Sequence, residues 1–115
     1  MRLPSRLRLK ESRDFAQVRA LGQSHQGRCL AIGVRTVPGL AGFQFGLITT
    51  RRLGCAVVRN RVRRRLREII RQDQAQLTPG IHLVMIARWR SAEASLDELR
   101  SDWRRIARRA GILRS

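Results

Sequence analysis

The chain has 115 residues and carries 25 Lys and Arg against 8 Asp and Glu, a formal charge of +17 at pH 7. That length allows one domain with one core, and 43% hydrophobic residues are enough to fill it, which excludes wholesale disorder. So much positive charge on so small a body repels itself unless a polyanion neutralises it, and no apolar run approaches the ~20 residues of a membrane-spanning helix, which favours nucleic acid over a lipid surface.

In chain order, residues 1–10 read as a basic extended arm that holds the single lysine, Lys10. No apolar signal region follows it, and Cys29 and Cys55 form no C-x-x-C or zinc-type spacing, which fits a cytoplasmic protein with reduced thiols. Ser12 is a candidate N-cap, with Asp14 in the first turn and Phe15, Val18 and Leu21 as the apolar stripe of a short helix that stops at Gly22. Residues 28–37 read as a strand, Pro38 and Gly39 break the chain, and residues 43–50 read as a second strand with Phe43, Phe45 and Leu47 on one face. The connection at 38–42 is short enough for a hairpin. Residues 51–54 form a basic turn, and Cys55–Val58 offers a short strand before the next helix.

Residues 59–72 have helical periodicity. Val58, Val62, Leu66, Ile69 and Ile70 share one arc, and Asn60, Arg61, Arg64, Arg67 and Arg71 lie on the other side. Thr78, Pro79 and Gly80 follow its end, and residues 81–87 are a continuous apolar run, as in a strand buried on both faces. Ser95 and Glu98 have capping-box spacing for a last helix whose stripe is Leu96, Leu99, Trp103, Ile106, Ala107 and Ala110, with Gly111 as its stop. The order of elements is that of an α+β or α/β sandwich.

Seven arginines fall between Arg59 and Arg71 against one acid, Glu68. Like charges at i,i+4 each destabilise an isolated helix by about 0.2–0.5 kcal/mol, so an unpartnered helix would intersperse acids. Guanidinium forks match phosphate oxygens and stack on unpaired bases. Gly54 allows close backbone approach to a phosphate, or is an ordinary turn glycine. Asn60 is either a helix cap or an RNA contact. Phe15, Phe43 and Phe45 either stack on bases or fill the core. His82, in the apolar run, is better explained by packing than as a base, and the eight acids form no two-metal cluster. On residues alone, the chain is a nucleic-acid-binding module with no catalytic residue of its own.

The segment Phe45–Ile70, FGLITTRRLGCAVVRNRVRRRLREII, resembles the signature of the protein component of bacterial ribonuclease P. That pattern is a strand ending in two basic residues, a glycine, then A-V-x-R-N-R-x-[KR]-R-x-x-R-E. The matching positions are Gly46, Arg51, Arg52, Gly54, Ala56, Val57, Arg59, Asn60, Arg61, Arg63, Arg64, Arg67 and Glu68. The spacing from Arg6 or Arg8 to Phe15 and Gly22, and the apolar strand ending in Ala87-Arg88, extend the resemblance over most of the chain. It implies a single-domain α+β fold, an α-β-β-β-α-β-α sandwich of the ribosomal protein S5 domain 2-like type, with helices packed on a small sheet. It implies a subunit of a ribonucleoprotein that removes 5′ leaders from precursor tRNA. The catalytic RNA and magnesium ions bound mainly by that RNA perform the chemistry. A metal site in the protein is left open.

By the same resemblance, Arg51, Arg52, Arg59, Asn60, Arg61, Arg63, Arg64, Arg67 and Arg71 are expected to bind the catalytic RNA. Arg8, Lys10, Arg13, Phe15, Arg19 and Arg88 are expected to bind the leader in a cleft between the sheet and the first helix. The partners are the catalytic RNA and precursor tRNA, with no membrane, and the protein is expected to be monomeric apart from the RNA. Arg19 stands where many relatives carry a second aromatic residue, and Cys55 where many carry Asn. The alternative is a structural RNA-binding protein such as a small ribosomal protein.

Overall fold

The computed structural model describes residues 7–114, so most of the expected arm at 1–10 lies outside the described residues. The elements are α1 (Ser12–Leu21), β1 (Gln23–Gln26), β2 (Leu30–Thr36), β3 (Phe43–Ile48), α2 (Ala56–Asp73), β4 (Ile81–Ala87) and α3 (Leu96–Ala110). This is the α-β-β-β-α-β-α order of an α+β sandwich. The sheet runs β1-β2-β4-β3, antiparallel except for the parallel β3–β4 pair.

Four local expectations are corrected. Helix α2 begins at Ala56, so Cys55–Val58 is the entry to a helix and not a strand. Glu11, not Ser12, occupies the N-cap position of α1, and its side chain makes no cap bond. The strand expected at 28–37 begins at Leu30, because Gly27–Cys29 is the turn of a β1–β2 hairpin. Strands β2 and β3 are not a hairpin, since β4 lies between them. The chain entering β4 holds them apart: Gly80 donates to the Gly42 carbonyl (2.6 Å) and accepts from the Val37 N–H (2.7 Å). The apolar run at 81–87 can cover both faces of the sheet, so it takes a central position that the flanking strands cannot.

The two faces of β4 serve two cores. Ile81, Leu83, Met85 and Ala87 join Leu30, Ile32, Phe43, Phe45 and the stripes of α2 and α3 in the main core. Trp103 is fully buried there. On the opposite face Val84 packs with Leu9 and Val18 under α1, flanked by Phe15, Ile48 and Ile86. The Ser95–Glu98 capping box is present, and Gly111 closes α3 in the left-handed conformation (φ 77°).

Two buried aspartates from the helix layer tie the domain together. Asp102 of α3 accepts from the backbone N–H groups of Arg28, Cys29 and Leu30 at 2.8–3.0 Å. Asp73, at the end of α2, accepts from the Trp103 indole N–H (2.9 Å) and from Arg104 (3.0 and 3.2 Å). Burial alone would raise the Asp73 pKa, but the bonds from Arg104 and Trp103 outweigh it and hold the carboxyl below its ordinary value. Because the folded value is depressed, this pair stabilises the fold above the unfolded pKa near ~3.9 and ceases to do so as pH falls through the folded value. Asp73→Asn is expected to cost about 1.5–3 kcal/mol at neutral pH. In urea unfolding from pH 7 to 3, the gap between variant and parent should close toward acid. A gap that is constant with pH would mean the charge is irrelevant.

Candidate RNA-binding site

A furrow runs between α1, the β3 edge and α2. Its floor begins with the arm: the Leu9 N–H donates to the Phe45 carbonyl (2.8 Å), and Arg8 makes a parallel bridge to Phe45. These residues cover the edge strand β3 and bring Arg8 over the sheet. Phe15, on the first turn of α1, lies across Gly46. A Cβ at that glycine would sit 2.5 Å from the Phe15 ring, so only glycine seats the ring there. An isolated glycine inside a strand is the sequence signal for such close approach.

One cavity in the furrow, of ~140 Å³, is lined by Arg8, Phe15, Gly46, Leu47, Arg63 and Arg67 among others. A wider one of ~440 Å³ continues past Phe15 and Arg63 to Arg19, Ile48 and Thr49. Neither is lined by a carboxylate. Arg63 is held in place by its Nε donating to Thr49 Oγ1 (2.9 Å). Burial depresses the Arg67 pKa, and the neighbouring charges of Arg8 and Arg63 depress it further. Three cations thus converge where no protein anion answers them.

Five of the seven arginines of α2 sort into three rows. Arg63 and Arg67, expected among the catalytic-RNA contacts, instead face the furrow with Arg8 and Phe15. Arg61 and Arg65 fold toward α3, donating to the carbonyls of Ala92 (3.0 Å) and Ala94 (3.1 Å). Asn60 and Arg64 are exposed between them, Arg59 is half-buried, and Arg71 is paired with Glu68. Asn60 is helical and not a cap, since Cys55 holds the cap position. Arg51 and Arg52 are exposed on a 3-10 turn. Gly54 after them has φ 129° and ψ −156°, a conformation reserved for glycine, so it sets the angle at which α2 begins. Cys55 lies at that helix start, where N–H groups of Val58 and Val57 lower its thiol pKa.

Other expected leader contacts are dispersed. Arg19 lines the wider cavity with Phe15. Arg13 is exposed and paired with Glu11 (3.1 Å), and Lys10 is exposed at the end of the arm. Arg88 stands apart from the furrow: past the end of β4, it reaches Gln26 Oε1 (3.3 Å) and the Gly27 carbonyl (3.4 Å). Phe43 and Phe45 are buried in the main core. His82 is buried beneath α1, and burial pushes its pKa down, with Asp14 opposing and Arg35 adding to the effect. Among the described residues, no three of His, Cys, Asp and Glu converge into a metal-holding group.

Comparison with known proteins bears on the family and the fold. The family model described as Ribonuclease P matches residues 3–111. The ribonuclease P protein component of Syntrophomonas wolfei is 33% identical over 110 residues, 96% of this chain and 92% of that protein. That of Acidothermus cellulolyticus is 38% identical over 105 residues, 90% of this chain and 88% of that protein. Among solved structures, the RNase P protein of Thermotoga maritima superposes with a TM-score of 0.80 at 26% identity, covering 89% of this chain and 96% of that one. The RNase P protein of Staphylococcus aureus has a TM-score of 0.87 at 20% identity, covering 93% and 97%, which speaks to the fold.

Proposed function

This chain belongs to the family of ribonuclease P protein components, and from that premise we propose that it binds two RNAs: the catalytic RNA through the outer row of α2, and the single-stranded leader of precursor tRNA in the furrow beneath α1. Family membership sets aside the alternative of a structural ribosomal protein. The observation that carries the reading is the convergence of Arg8, Arg63 and Arg67 with the half-buried Phe15 ring on one cavity that has no carboxylate in its lining.

Guanidinium groups so placed bind the phosphates of an extended strand, and the ring offers a face or edge to one base. Asn60, Arg64, Arg51 and Arg52 point to solvent and suit the phosphates of a folded RNA. The protein's part is to lower the repulsion between two polyanions and to hold the leader in register, so that one phosphodiester bond is hydrolysed with the 5′-phosphate left on the tRNA.

Among the described residues, neither a histidine nor a carboxylate lines the furrow. In keeping with the family resemblance, we assign magnesium mainly to the RNA and derive no step through it. The work would take place in the cytoplasm, with the protein monomeric apart from RNA. Among the described residues, no helix is long and apolar enough to cross a membrane.

Phe15→Ala tests the furrow. It should weaken binding of precursor tRNA by about 1–3 kcal/mol if the ring stacks on a base, and leave affinity for mature tRNA unchanged in the assembled holoenzyme. Equal losses for precursor and mature tRNA, or a loss in folding stability only, would make Phe15 a packing residue.

A further inference from the structure

The indole of Trp89 is 52% exposed, while the other tryptophan, Trp103, is fully buried. Trp89 stands on a 3-10 turn, Trp89–Ala92, directly after β4, with the Arg90 guanidinium 5.2 Å from its ring centroid. Beside it is a hollow of ~330 Å³ walled by Arg28 and Arg90 together with Glu93 and Glu98, and Arg28 also walls a neighbouring hollow of ~360 Å³ that extends to Arg105. From the other side Arg88 and Arg109 reach the same corner, at Gln26 and Gly27; the Arg109 Nη2–Gln26 O distance is 2.7 Å. Of the four carboxylates lining the hollows, three are engaged within the protein. Glu98 closes the capping box, Asp97 pairs with Arg100, and Asp102 accepts backbone N–H groups and Arg105.

An exposed aromatic ring set among arginines is the chemistry of a single-stranded nucleic-acid platform. It gathers around the β1–β2 turn, whereas the furrow lies along β3 at the opposite edge of the sheet. It is also continuous with α2, because Arg61 and Arg65 grip the loop that carries Trp89 through the Ala92 and Ala94 carbonyls. An RNA seated on the outer row of α2 therefore reaches this surface by crossing one loop.

We propose that Trp89 is a stacking platform for an unpaired base of the catalytic RNA, with Arg28 and Arg88 on the flanking phosphates. The proposal rests on the reading of α2 as the face that binds the catalytic RNA, and extends it to a second contact surface.

The two tryptophans make the test direct. Catalytic RNA is titrated into the full-length protein while binding is followed by gel shift and tryptophan emission in parallel. The expected result is quenching of the exposed indole and its protection from acrylamide on binding, with the buried Trp103 as a constant background. Trp89→Phe should remove the optical change and retain most of the affinity. Trp89→Ala should weaken binding by at least about five-fold. It should leave the melting transition in place, since the side chain is half in solvent.

Full binding with an unquenched, acrylamide-accessible Trp89 overturns this proposal and leaves the α2 reading standing. No binding of the RNA at all overturns both. Quenching that occurs with precursor tRNA and not with catalytic RNA assigns the platform to the other RNA and overturns the proposal as stated.

Discussion

Asp102→Ala should remove about 3–5 kcal/mol of folding stability, the largest loss expected from any single substitution outside the apolar core. The carboxylate accepts from three consecutive backbone N–H groups, those of Arg28, Cys29 and Leu30. Cys29 and Leu30 are 4% and 0% exposed, so water cannot replace the lost acceptor. Each buried donor left without a partner costs about 1–3 kcal/mol, set against a total stability of ~5–15 kcal/mol for a domain of this size. Asp102→Asn should cost less, because one carboxamide oxygen can still receive the Cys29 and Leu30 donors that converge on a single oxygen. Gly27→Ala offers an independent check. A Cβ there would meet the carboxylate at 2.6–2.8 Å, and the three amide bonds leave the carboxylate no room to retreat. Urea unfolding midpoints measure all three. A loss below ~1 kcal/mol for Asp102→Ala would mean the β1–β2 turn is not anchored by α3.

The second large effect falls on binding rather than folding. In the holoenzyme, Arg63→Ala combined with Arg67→Ala should weaken precursor tRNA at least about ten-fold, since charge-assisted hydrogen bonds are worth about 1.5–3 kcal/mol each. The log–log slope of affinity against salt should fall by about 0.7 for each phosphate of a single strand that loses its cation, and mature tRNA should be unaffected. The same variant should fold about as well as its parent, because relief of repulsion at Arg67 offsets the lost Arg63–Thr49 hydrogen bond. Arg67 is already burdened by burial and by the charges of Arg8 and Arg63, so its removal relieves repulsion. Lower stability with unchanged leader affinity would contradict the assignment of these two arginines to the furrow.

Where the chemistry of a segment was local, the sequence revealed it. The Ser95–Glu98 box, the stripe of α3, the two-faced apolar run of β4 and the arc of α2 each follow from side-chain spacing alone. Strand β1 did not show, because Gln23-Ser24-His25-Gln26 is an edge strand with no apolar alternation, paired only to β2. The position of β4 between β2 and β3 did not show either. It depends on a pairing across α2, whereas the short 38–42 link suggested a hairpin.

The site divided in the same way. The arginine cluster and the aromatic at Phe15 were legible as residue types. The sorting of the α2 arginines into furrow, solvent and loop-holding rows required the positions of Thr49, Ala92 and Ala94, which lie in other elements. Arg88, grouped with the leader contacts by resemblance, stands at the β1–β2 corner for the same reason.

Reconstitution decides whether the protein assists the catalytic RNA. Catalytic RNA and precursor tRNA are combined at a magnesium concentration too low for the RNA to act alone, with and without the protein, and leader removal is followed. The account predicts that the protein restores cleavage at the mature 5′ end, and that the Arg63, Arg67 double variant assembles with the RNA and fails to improve precursor binding. Cleavage that is no faster with the protein than without it, although the protein binds the RNA, would contradict the account.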